Sequence, residues 1–111
     1  MAYDELLAVR MRAALGPLDG LKEKKMFGGI GFLVYGNMAC GVHKNELIVR
    51  VGPEKHKDAL ARPYTHVFDM TGHPMAGWVM VGPEGCATEK ELNDWIQQGL
   101  AFARTLPAKE K

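Results

Sequence analysis

Between Ile30 and Val51 the chain holds three short apolar runs separated by tight-turn signals, and this stretch constrains the fold more than any other. Residues 30–35, 38–43 and 47–51 each have the length and composition of a strand. Gly36-Asn37 supplies residues that accept the positive φ of a two-residue hairpin loop, and Asn45-Glu46 marks a second turn. Strands joined by loops this short pair as an antiparallel meander. Two-residue loops at those positions place Leu33 opposite Cys40, Gly31 opposite Val42, Val42 opposite Val49 and Cys40 opposite Val51. Directly opposed residues share a face. One face is therefore predicted to hold Leu33, Tyr35, Met38, Cys40, Val42, Leu47, Val49 and Val51. The other holds Ile30, Phe32, Val34, Ala39, Gly41, His43, Ile48 and Arg50. The first is continuously apolar and suits packing on helices. The second mixes aliphatics with His43 and Arg50. Left uncovered, it is the kind of half-apolar patch that marks a contact site. Ile30, Phe32, Val34, His43, Ile48 and Arg50 are accordingly the candidate partner-binding residues, in a homodimer or with a different protein. The alternative is that loops, or the third helix, cover this face.

The flanking segments supply the second layer. Asp4 is placed to cap a helix over residues 4–15, with Leu7, Met11, Ala14 and Leu18 as its apolar stripe and Gly16-Pro17 as its stop. Residues 24–27 have strand character before Gly28, Gly29 and Gly31 interrupt the pattern. Gly52-Pro53 ends the third meander strand, and Pro53 opens a helix over 54–61 that Pro63 closes. Residues 67–70 and 78–81 read as two more strands, joined through Thr71-Gly72-His73-Pro74. Thr88 and Glu91 form a capping box. Leu92, Ile96, Gly99, Ala103 and Leu106 follow at helical spacing, widened by Trp95 and Leu100, until Pro107. The order α-β-β-β-α-β-β-α gives an α+β fold, a two-layer sandwich with helices on one face of an antiparallel meander sheet. At 111 residues this is one domain, residues 1–111, and 47% apolar with 24% charged residues excludes disorder. Val51-Gly52-Pro53-Glu54 returns as Val81-Gly82-Pro83-Glu84, which reads as shared turn chemistry because the flanks differ. No apolar run approaches the roughly 18 residues of a membrane span. The N-terminus, with early acids, lacks the order of a secretory signal. Two cysteines fit a reducing compartment, so a cytoplasmic protein is expected.

The run Lys24-Lys25-Met26-Phe27-Gly28-Gly29-Ile30-Gly31-Phe32, followed by Tyr35-Gly36-Asn37-Met38, resembles the N-terminal domain of the TfoX/Sxy family. The later strand-helix-hairpin order and the last helix, with Leu92, Trp95 and Leu100, resemble it too. That family is associated with regulation of bacterial competence for DNA uptake. The resemblance implies a two-layer, secretion-chaperone-like fold and a role in competence and transcription regulation. It supplies no catalytic residues. Full-length competence regulators of the family carry a second, helical domain, and this chain resembles the N-terminal domain alone.

The residues themselves point away from catalysis. The chain contains no serine, which removes serine nucleophiles. Gly28-Gly29-Ile30-Gly31 matches no phosphate loop and opens no helix, so the glycines read as a bulge or a close backbone approach. Cys40 and His43 have C-x-x-H spacing, but residues three apart on a strand point to opposite faces and cannot share a metal. Cys86, just before the Thr88 cap, is the one candidate thiol, although no orienting group accompanies it. It reads as a passive loop cysteine. Met75, in a loop, and Trp78 could meet a partner, with burial as the alternative reading. Net charge is +1, yet residues 1–62 carry ten Lys or Arg against seven Asp or Glu. The excess centres on Lys22, Lys24, Lys25, Lys55 and Lys57. A net charge this small predicts only weak or indirect nucleic-acid binding. The expected function is a non-enzymatic regulatory module that binds a protein, without cofactor or metal. Direct nucleic-acid binding and a small thiol enzyme using Cys86 are the alternatives.

Overall fold

The structure, a computed structural model, describes residues 3–26, 28–68 and 75–109. The first helix, α1 (Glu5–Leu15), starts where Asp4 accepts hydrogen bonds from the amides of Leu6 and Leu7, and ends at Gly16 with φ 64°. Its inward stripe is Leu7, Ala8, Met11 and Leu15. Four strands follow without interruption: β1 (Leu21–Met26), β2 (Gly29–Val34), β3 (Asn37–His43) and β4 (Glu46–Arg50). Pro53 opens a single 3₁₀ turn that leads into the short α2 (His56–Leu60). The strands β5 (Thr65–Val67) and β6 (Trp78–Val81) come next, then α3 (Glu89–Ala103). The capping box is complete: the Glu91 amide donates to Thr88 Oγ1 at 3.1 Å, and the Thr88 amide donates to Glu91 Oε1 at 3.2 Å.

The sheet is six-stranded and antiparallel, in the order β1-β2-β3-β4-β6-β5. The expected α+β order holds, with β1 added: the short run of strand character extends back to Leu21 and pairs with β2 along its whole length. The fifth strand lies at 65–67 rather than 67–70: the Thr65 hydroxyl donates to the Arg62 carbonyl at 2.7 Å, with the Ala59 and Leu60 carbonyls also within reach, which ties the start of the strand to the end of α2. Met70 and the connection through Thr71-Gly72-His73-Pro74 lie outside the described residues.

Helices α1 and α3 cover one face. There Ile30, Phe32, Val34, Cys40, Val42, Leu47, Val49, Val79 and Val81 pack against Met11, Leu92, Trp95, Ile96 and Leu100. The Arg62 guanidinium lies 4.0 Å from the centroid of the Trp95 ring. α3 passes so close to β3 that a Cβ on Gly99 would sit 2.3 Å from the Ala39 carbonyl oxygen. The opposite face carries a smaller core of Met38, Ile48, Phe68 and Met80, flanked by Leu33, Met75 and Trp78.

This arrangement corrects the predicted faces. The hairpin loops are Tyr35-Gly36 and Lys44-Asn45, each one residue earlier than expected. Tyr35 at φ 50° and Gly36 at φ 86° provide the left-handed conformations of the first loop. Moving a two-residue loop by one position shifts the pairing by two, which keeps every side chain on its face. So Cys40 meets Val49 and Val42 meets Leu47 on the core face, as expected for those strands. Between β2 and β3, however, Phe32 pairs with Cys40 while Leu33 pairs with Met38, leaving Ala39 as the extra residue of a bulge. That single extra residue exchanges the faces of β2 relative to the rest of the sheet. Ile30, Phe32 and Val34 therefore lie in the main core, and Leu33 and Met38 on the other side.

Candidate functional site

What remains open on the second face is set by Phe68 and Met75. Phe68 is buried, and its carbonyl accepts from the Met75 amide at 3.0 Å. Together they close the middle of the face over Ile48 and Met80, and leave a polar group at each end of β4. At one end His66 Nε2 lies 2.6 Å from Glu46 Oε2, and His43 stands across the ladder from Glu46. His43 Nδ1 is buried and has no hydrogen-bond partner among the described residues.

The other end is built around Arg50. Its guanidinium carbon lies 5.1 Å from the centroid of the Trp78 ring and 5.3 Å from that of Phe102. Trp78 in turn packs against Phe68 in a tilted contact, ring centroids 5.6 Å apart and planes at 35°. Arg50 and Trp78 are ladder partners, whereas Phe102 arrives from the last turn of α3, so the arginine joins the helix layer to the cover of the second face. A guanidinium held between two rings gains cation–π attraction while its N–H edge stays free for hydrogen bonds. No carboxylate among the described residues pairs with it. Partial burial pushes its pKa down, though arginine stays charged.

Beside this stack runs a groove of about 600 Å³, lined by Val51, Gly52, Pro53 and Lys55 on one side and by Gln98 and Phe102 on the other. Its first wall is rigid. The Gly77 carbonyl accepts from the amides of Val51 (2.8 Å) and Gly52 (3.0 Å), and Gly52 has φ 91°. A Cβ there would lie 2.5 Å from Phe102 Cδ1, so glycine is what lets the turn touch the ring. The repeated Val-Gly-Pro-Glu turn is pinned the same way: the Gly82 amide donates to the Tyr64 carbonyl at 2.8 Å.

Set against this geometry, the six candidate residues separate. Ile30, Phe32 and Val34 are buried under the helices, in the main core rather than on the second face. Ile48 is on the expected face but covered. His43 and Arg50 are half-buried at opposite ends of the face. Phe102 was missed. It stands one heptad after Trp95, at the flank of the α3 stripe, and a large aromatic at that position is the signal that could have pointed to it.

Both thiols are buried. Burial pushes the Cys40 pKa up to about 12. Cys86 is buried rather than on an open loop; its Sγ reaches the Gly82 carbonyl at 3.6 Å, and burial raises its pKa against a smaller lowering by Arg10. Arg10 itself is occupied by the carbonyls of Cys86 and Ala87 and by Glu89. Among the described residues no three His, Cys, Asp or Glu side chains are grouped to hold a metal ion.

The Gly28–Gly31 run also has a structural use. A Cβ on Gly29 would lie 1.9 Å from the Val42 carbonyl oxygen, and Gly31 pairs with Gly41, so these glycines let β2 and β3 approach closely. The family model of the TfoX N-terminal domain matches residues 13–103, which takes in this run and every residue of the Arg50 stack. The chain belongs to the TfoX N-terminal domain family. Comparison with curated proteins and with solved structures gives no significant match. Among the described residues no helix of this TfoX N-terminal domain is long and apolar enough to cross a membrane.

Proposed function

We propose that this TfoX N-terminal domain is a non-enzymatic regulatory module of the competence-regulator type, working in the cytoplasm by binding a protein partner through the groove beside Arg50. The observation that carries this reading is the Arg50 stack itself. Arginine and tryptophan are the residues that most often dominate protein interfaces, and here Arg50 packs between Trp78 and Phe102, the last of which lines a groove of about 600 Å³ next to the arginine. A guanidinium already fixed by two rings loses little freedom when a partner's acceptor meets it. The buried thiols, with pKa values raised by burial, give the Cys86 enzyme little support.

A photo-crosslinking residue at exposed Ala101, which lines the groove, tests the proposal in cells. The expected result is a discrete protein adduct that disappears when Arg50→Ala is added. Adducts that are indifferent to Arg50→Ala, or that consist of nucleic acid, would overturn it.

A further inference from the structure

The edge strand β1 offers a second surface, separated from β4 by two intervening strands. Its six residues pair with β2 in unbroken register from Leu21↔Val34 to Met26↔Gly29. The Tyr35 amide donates to the Gly20 carbonyl at 2.9 Å, which fixes the alternation of the ladder. The backbone groups of Lys22 and Lys24 turn toward β2, and those of Leu21, Glu23 and Lys25 turn outward. The Leu21 amide is taken by the Leu18 carbonyl at 3.3 Å. Glu23 and Lys25 each present an N–H and a C=O, and no strand among the described residues pairs with them.

The side chains select what could add there. Lys22, Lys24 and Lys25 are exposed along the strand, and Lys109 joins Lys22 and Lys24 around a groove of about 430 Å³ with Leu33 and Gly36 in its lining. The one acid of β1, Glu23, is neutralised by a bidentate Arg12 at 2.7 and 2.8 Å, which holds its carboxyl below the usual range. The edge thus displays positive charge beside paired backbone donors and acceptors. A second copy of β1 paired about Lys24 would set lysine against lysine, and Glu23, which would then face Lys25, is already held by Arg12; like charges across a ladder repel. A nucleic-acid phosphate could use the donors but not the carbonyls, and no aromatic ring among the described residues lines this groove for a base to stack on. We propose that the open edge of β1 accepts an acidic, extended segment of a partner protein as a seventh strand of the sheet. Edge lysines also serve as guards against unwanted pairing. Here they do so selectively, rejecting neutral or basic strands while complementing an acidic one.

Amide-resolved NMR titration tests this with an acetylated, amidated hexapeptide of alternating glutamate and valine as the probe. At about 1 mM peptide, saturable shifts and slowed exchange are expected at the Glu23 and Lys25 amides. Methylating the peptide nitrogens along its pairing edge keeps its charge and should abolish the effect. Lys24→Glu with Lys25→Glu should weaken binding roughly tenfold or more. Both lysines are exposed, and an amide spectrum unchanged elsewhere confirms the fold, with the paired Lys→Gln changes as the milder variant. No shifts at that concentration would leave the lysines as guards only and overturn the proposal. So would equal shifts from the methylated peptide, or larger shifts at the same residues from a short oligothymidylate. Arg50→Ala should leave this titration unchanged, so the outcome is independent of the groove beside Arg50.

Discussion

The two faces of the sheet are both buried at their centres, but by different means. One is closed by two helices whose stripes run its length, with Met11, Leu92, Trp95 and Ile96 fully inside. The other is closed by Phe68 and Met75 from one connecting segment, and at its ends polar groups take over, His43 with Glu46 and His66 at one, Arg50 at the other. The first face holds the fold together. The second carries a smaller core, with half-buried polar side chains at its ends.

That contrast can be broken by matched truncations. Removing a buried aromatic costs about 3–5 kcal/mol, and we expect Trp95→Ala to lie at the top of that range and Phe68→Ala at the bottom. The helices around Trp95 cannot collapse into the hole, whereas the Phe68 cover can relax. Urea denaturation of both variants checks this, and an equal or larger loss for Phe68→Ala would mean the faces are energetically alike. Gly41→Val comes next, at about 1–3 kcal/mol from overpacking. A Cβ at Gly41 meets the Ile30 carbonyl oxygen at 2.6 Å and Met38 Cε at 2.8 Å. The Met38 methyl should shift in NMR spectra while the Phe32 ring, on the other face, should not; a moved Phe32 ring would contradict the register.

Thr88→Ala should cost about 1 kcal/mol through loss of the cap of α3. Measured in the Trp95 and Phe68 backgrounds, the same change shows whether α3 serves mainly the first face.

The last effect is confined to alkaline pH and is absent at neutral pH. The Cys40 pKa is raised in the folded state, so its contribution is complete below the unfolded value near 9 and is lost as pH rises toward about 12. Stability should fall more steeply over that window in the wild type than in Cys40→Ala. Parallel slopes would place the thiol in contact with solvent.

Much of this was legible in the sequence, and the failures have identifiable causes. The Asp4 cap, the Thr88–Glu91 box and the Trp78–Val81 strand depend on local chemistry and appear where the residues put them. Both hairpins were recognised but set one residue late. Tyr35 and Lys44 adopt positive φ (50° and 54°), a conformation that residue preference assigns to glycine or asparagine. That error was harmless to the faces. The bulge at Ala39 was not, and no residue type announces it, because it answers to α3 crossing at Gly99. Arg50 was identified as a contact residue, while its partnership with Phe102 joins positions far apart in the chain that no spacing rule connects.

The position of β6 has a consequence for how the protein comes into being. β1 to β4 are neighbours in both chain and sheet, so each can dock as soon as it is made. β6 instead occupies the place beside β4, between it and β5, although β5 precedes it in the chain. A nascent chain that has not reached Trp78 therefore has β4 with a bare flank and β5 with nothing to pair against. Short-range closure gives way there to a long-range one, the kind of contact that slows folding. Until β6 is made, Leu47–Val49 lacks the strand that covers its flank, so the pairing of Leu47 with Val81 and Val49 with Val79 is the contact that a growing chain completes late.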